Sequence, residues 1–102
     1  MIKLWVDDVR EAPDGWMGIM NPIVALQILK LGNVVELSLD HDLGEDRQTG
    51  YDIICWLESQ LFMGYPCFVP RDIRCHSANP VGRAKIEAAI ASIENYRRIN
   101  ND

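Results

Sequence analysis

The run V-V-E-L-S-L at Val34–Leu39, leading straight into Asp40-His41-Asp42, decides how the rest of the chain is read. An apolar, β-branched run of this length bounded by polar residues is a strand. It delivers two acids and a histidine to a single strand end. Upstream, I-K-L-W-V at Ile2–Val6 is a second such strand and stops abruptly at Asp7-Asp8. Downstream, the short strand Ile73–His76 runs into Ser77-Ala78-Asn79.

The segments between these strands carry helix signals. Asn21-Pro22 starts one helix, because Asn caps well and Pro is tolerated at the first helical position, where its missing N–H costs nothing. Val24, Ile28 and Leu31 share a face there, with Leu29 beside them, and Gly32 terminates it. A polar loop, Gly44–Gly50, precedes the capping-box spacing Thr49-x-x-Asp52 and a helix with Ile53, Ile54, Leu57 and Leu61 inward. Gly64, Pro66 and Pro70 punctuate the next loop. Asn79-Pro80 opens the last helix, which turns Ile86, Ala89, Ile90 and Ile93 inward and fades into Arg97–Asp102.

Near the N-terminus, Pro13, Asp14 and Gly15 mark a loop over Val9–Gly15, and Trp16–Met20 reads as a further short strand. Strands alternating with helices predict an α/β fold with a mainly parallel sheet. Val9–Gly15 is short for a parallel crossover, which usually takes roughly a dozen residues. The direction of the Trp16–Met20 strand therefore stays open.

At 102 residues and 48% hydrophobic, the chain suits one domain, 1–102, with one core. No stretch approaches the roughly 20 apolar residues of a membrane span. Ile2–Val6 is too short for a signal peptide, so a cytoplasmic location is expected. The net charge of −5 excludes a uniformly basic nucleic-acid coat, and no duplex DNA binding is expected. The charge is unevenly spread. Residues 1–70 hold eleven acids and four bases, whereas residues 71–98 hold six bases and three acids. An acidic site facing a basic wall suits a metal ion beside a phosphate. Cys55, Cys67 and Cys75 form no CxxC and cannot all pair, and no structural zinc site is expected.

Ligands bind outside the carboxyl ends of strands in open parallel sheets. With the first strand beside the third, Asp7, Asp8, Asp40 and Asp42 would crowd together. Like charges in one pocket repel, and a hard divalent ion, Mg²⁺ or Mn²⁺, relieves that crowding. Asp7, Asp8 and Asp40 are accordingly the expected metal ligands.

The same residues resemble a receiver domain: an acid pair after the first strand, an acceptor-like Asp40, the loop glycine Gly50 ahead of a helix, and Ser77-Ala78 after a later strand. Receivers also place a lysine after a fifth strand, which this chain lacks, so a phosphorelay role is not expected. L-W-V-D-D-V-R, S-L-D-H-D-L-G, T-G-Y-D and H-S-A-N-P-V-G-R more closely resemble the cyclic-phosphate processing receiver domains. That resemblance implies a small, degenerate flavodoxin-like three-layer fold. Its mainly parallel four-stranded sheet would have order 2-1-3-4 and helices on both faces. It also implies action on a cyclic phosphate of a nucleotide or an RNA end.

Such a hydrolysis needs a base, an acid and anion-binding groups. His41 and His76, the only histidines, are the expected proton-transfer pair, because imidazole titrates near neutrality. Asp42 orients His41 or completes the ion's outer shell. Ser77 and the helix start at Asn79 offer hydrogen bonds to phosphate. Arg10 and Arg83 offer a bidentate clamp, and Trp16 a stacking surface for a base. Two other readings stand beside the enzyme: a module that binds a cyclic nucleotide without cleaving it, and a receiver-like domain that binds a protein.

Overall fold

Each expected strand and helix forms, and the strand order follows the expectation. The structure, a computed structural model, describes residues 1–40 and 49–100. Strands β1 (Ile2–Val6), β2 (Met17–Ile19), β3 (Val34–Leu39) and β4 (Asp72–Cys75) form one sheet in the order β2-β1-β3-β4. Every neighbouring pair is parallel, which settles the direction of β2. Helices α1 (Pro22–Leu29), α2 (Gly50–Phe62) and α3 (Pro80–Ile99) follow β2, β3 and β4, and a short 3₁₀ turn spans Pro66–Phe68.

The helix starts obey their capping signals. Asn21 accepts the N–H of Ile23, and Asn79 accepts those of Val81 and Gly82. Thr49 and Asp52 close a complete capping box. The inward faces of α2 and α3 are those the spacing predicts. In α1 the buried residues are instead Pro22, Ala25 and Leu29, while Val24 and Leu31 lie exposed. The segment P-I-V-A-L-Q-I-L is apolar nearly all round, so periodicity selects no face.

The layering differs from the expected helices on both faces. Leu4, Val6, Leu37 and Leu39 form a single core cluster with Ala25 and Leu29 of α1, Ile53, Ile54, Leu57 and Leu61 of α2, and Ile86, Ala89, Ile90 and Ile93 of α3. Helices α1, α2 and α3 thus cover the same face. The physical reason lies in the β1–β2 connection. Right-handed crossovers put the connection that runs toward β2 on the opposite face from those that run toward β3 and β4. That connection is residues 7–16, and it contains no helix. It closes through a turn at Gly15, whose φ is +86°, and lies against β2 so closely that a Cβ on Gly18 would come within 3.2 Å of Ala12 Cβ. On the helix-free face Lys3 and Arg74 both pair with Glu36, at 3.2 and 3.1 Å.

Candidate metal centre at the carboxyl edge of the sheet

The backbone ladder continues one residue beyond three of the strands, and those three residues are the chemically interesting ones. Asp7 N–H bonds to Ile19 O, Asp40 N–H to Val6 O and His76 N–H to Leu39 O, at 3.1, 3.0 and 3.0 Å. Parallel pairing holds them level with one another, so their side chains converge. One ligand atom from each of Asp7, Asp40 and His76 lies within 4.8 Å of the others.

Asp7 is the most constrained. Its side chain is fully buried. Oδ1 accepts the N–H groups of Val9 and Arg10 at 2.8 and 2.9 Å, and Oδ2 faces His76 Nε2 at 2.9 Å. Burial alone would raise the Asp7 pKa. The N–H groups of Arg10 and Val9 and the contact with His76 outweigh it and hold the carboxyl below its ordinary value.

His76 folds back onto the helix-free face. Its ring stacks on Trp5 at 3.7 Å between centroids and 6° between planes, and Nδ1 meets Ser38 Oγ at 2.7 Å. Burial lowers its pKa and prevails over the opposing pull of Asp7. The pair is therefore an aspartate anion beside a neutral imidazole. A carboxylate only accepts, so Nε2 carries the proton toward Asp7, and Nδ1 accepts the Ser38 hydroxyl. Ionised carboxylates and a neutral imidazole are the forms that bind metal.

Asp40 is half-buried at the end of β3. Gly50, the first residue of α2, packs against its backbone, and a Cβ there would overlap the Asp40 carbonyl oxygen. The T-G start of α2 thus fixes where Asp40 sits.

Asp8 is not one of the three convergent residues. It lines an adjoining cavity of about 270 Å³ with Asp7, Arg10, Gly18 and Met20. Arg10 donates to His76 O at 3.0 Å, and its Nε lies 4.0 Å from Asp7 Oδ2. Arg83 pairs with Glu87 at 2.9 Å and reaches Ser77 O at 3.4 Å. Ser77 Oγ accepts the Asn79 N–H, and Asn79 caps α3, so both shape the helix start beside the site. Trp16 meets Trp5 edge-on at 6.1 Å and carries Lys3 Nζ 5.9 Å from its ring centroid. His41 and Asp42 lie outside the described residues.

Sequence reasoning missed Ser38 and gave Trp5 no part in the site. A hydroxyl two residues before Asp40, on the strand face opposite Leu37 and Leu39, was the available signal for Ser38.

A parallel sheet in the order 2-1-3-4 with acids gathered at its carboxyl edge is the architecture of a receiver-type domain. The chain belongs to the cyclic-phosphate processing receiver domain family, whose model matches residues 2–92. No curated protein and no solved structure matches the chain significantly. Among the described residues, no helix is long and apolar enough to cross a membrane.

Proposed function

We propose that this chain is a divalent-metal-dependent phosphoesterase that opens a cyclic phosphate, on a nucleotide or at an RNA end. The observation that carries this reading is the convergence of Asp7, Asp40 and His76 within 4.8 Å at the carboxyl edge. These three residues would hold the ion, which moves His76 from the proton-transfer role to the ligand set. Two carboxylates and an imidazole suit Mn²⁺ better than Mg²⁺, which favours oxygen ligands throughout. A divalent ion there supplies charge neutralisation for the phosphoryl oxygens and acidifies an attacking water.

The protein groups do the remainder. Water adds to phosphorus, one P–O ester bond breaks, and the leaving sugar oxygen takes a proton, giving a monoester. Arg10, beside Asp7 and the His76 carbonyl, binds a non-bridging oxygen. Arg83 and the Ser77 hydroxyl contribute further donors. His41 and Asp42 keep the proton-transfer and orienting roles that the sequence gives them, and Asp8 faces the neighbouring cavity as an outer contact.

The test is incubation with Mn²⁺ or Mg²⁺ and a panel of 2′,3′- and 3′,5′-cyclic nucleotides, with chromatographic separation of products. Ring opening of at least one member, abolished by EDTA and by Asp40→Asn, is the expected result. Tight binding with the ligand recovered intact would replace the enzyme with a binding module. Neither binding nor turnover across the panel would overturn the cyclic-phosphate reading for both.

A further inference from the structure

Ser38 sits in the middle of an apolar strand, yet its side chain is almost completely buried and its hydroxyl is spent on one partner, His76 Nδ1, at 2.7 Å. In the ladder Ser38 stands opposite Trp5, whose ring lies flat on the same imidazole. The stacking fixes the plane of His76. The hydroxyl fixes its rotation within that plane, because only one ring nitrogen can then face Asp7 Oδ2, 2.9 Å from Nε2.

A hydroxyl differs from a backbone carbonyl or a carboxylate in this position, because it can donate or accept with equal ease. With Nε2–H donating to Asp7, Ser38 must donate to Nδ1. When Nε2 instead offers its lone pair to a cation, Nδ1 must carry the proton, and a hydroxyl that turns around can accept it. A carbonyl in the place of Ser38 would be repelled by the bare Nδ1 of the first arrangement.

We propose that Ser38 is a positioning residue that holds His76 with Nε2 toward the carboxylates and lets it exchange tautomers as a cation enters. The exchange balances: Nε2 loses a proton to water, Nδ1 gains one from water, and the ring stays neutral. The Ser38 hydroxyl reverses from donor to acceptor. This inference rests on the metal site proposed above, but the tautomer of the free protein is independent of it.

The experiment has two arms. Long-range ¹H–¹⁵N NMR, with His76 assigned from a His76→Gln spectrum, reads the tautomer of the metal-free protein and then of the protein with Zn²⁺, a diamagnetic probe. The expected result is Nε2–H without Zn²⁺ and Nδ1–H with it. The second arm measures Mn²⁺ affinity by counting the free ion with electron paramagnetic resonance. Ser38→Ala should weaken Mn²⁺ binding about tenfold or more and leave free His76 a mixture of tautomers. Ser38→Thr should restore both. Ser38→Cys, which keeps the volume but donates and accepts weakly, should behave as Ser38→Ala while keeping the wild-type circular dichroism spectrum.

Unchanged Mn²⁺ affinity in Ser38→Ala, or Nδ1–H in the free wild type, would overturn the proposal. Failure of the wild type to bind either ion would overturn the metal reading and the exchange together. The tautomer of free His76 in Ser38→Ala would then still decide whether Ser38 sets the ring.

Discussion

The two faces of this sheet follow opposite rules. Toward the helices, Leu4, Val6, Leu37 and Leu39 are fully buried in one apolar cluster. On the other side the neighbouring residues are Lys3, Trp5, Glu36 and Ser38, which make ion pairs, a ring stack and a hydrogen bond to His76. A crossover without a helix leaves those positions free to be polar, directly beneath the strand ends where Asp7 and Asp40 emerge. The covered face stores the stability, and the uncovered face supports the site.

The sharpest way to break that contrast is to cut into the covered face. Leu37→Ala should cost about 2–5 kcal/mol, a large part of the stability of a domain this size, as read by urea unfolding. Trp5→Leu, on the opposite face of the paired strand, should cost less stability and more Mn²⁺ affinity. If both variants lose stability equally and metal binding not at all, the division of labour between the faces is wrong.

Gly50→Ala tests a place where a helix of the covered face touches the site. Its Cβ would meet backbone, the Asp40 carbonyl, so strand end and helix start must separate. An overpacking cost of about 1–3 kcal/mol is expected, together with weakened Mn²⁺ binding. Wild-type affinity in a folded Gly50→Ala protein would show that the position of Asp40 does not matter.

Acid provides a milder perturbation. The folded state holds His76 below its ordinary 6.5 and Asp7 below 3.8, the first through burial, the second through its N–H donors despite burial. Between its folded and ordinary values, each group binds more protons when unfolded, so stability rises with pH there. Metal-free protein should therefore lose stability as the pH falls below about 6.5, and again below 3.8. His76→Gln should flatten the first phase of the urea-midpoint profile; a wild-type profile already flat from pH 7 to 5 would contradict the pairing of Asp7 with a neutral His76. The smallest effect belongs to Val24→Ser and Leu31→Ser, which should fall within about 0.5 kcal/mol of wild type, because both side chains face solvent.

Much of this was legible in the sequence for physical reasons. Caps are local chemistry, so Asn21, Thr49 with Asp52, and Asn79 could be read directly. Alternation of elements predicts the parallel sheet, the family resemblance implies its strand order, and the meeting of Asp7 with Asp40 follows from that order. The layering departs from the expected helices on both faces, although its sign was present. I-K-L-W-V and V-V-E-L-S-L place polar or amphipathic residues on alternate positions, whereas a parallel sheet covered on both faces is apolar throughout. Taking α/β alternation as sufficient hid that signal, and Ser38 with it. His76 reads as an acid or base from its type alone. Only the geometry sets it between Asp7 and Ser38.

Titration of the metal-free protein with Mn²⁺ at neutral pH, with calorimetry on wild type, Asp40→Asn and His76→Gln, tests the convergence of three ligands most directly. One ion per chain is expected for the wild type, with affinity lost by at least tenfold in each variant and the fold retained. Binding of the same strength in all three proteins, or none in the wild type, would contradict it.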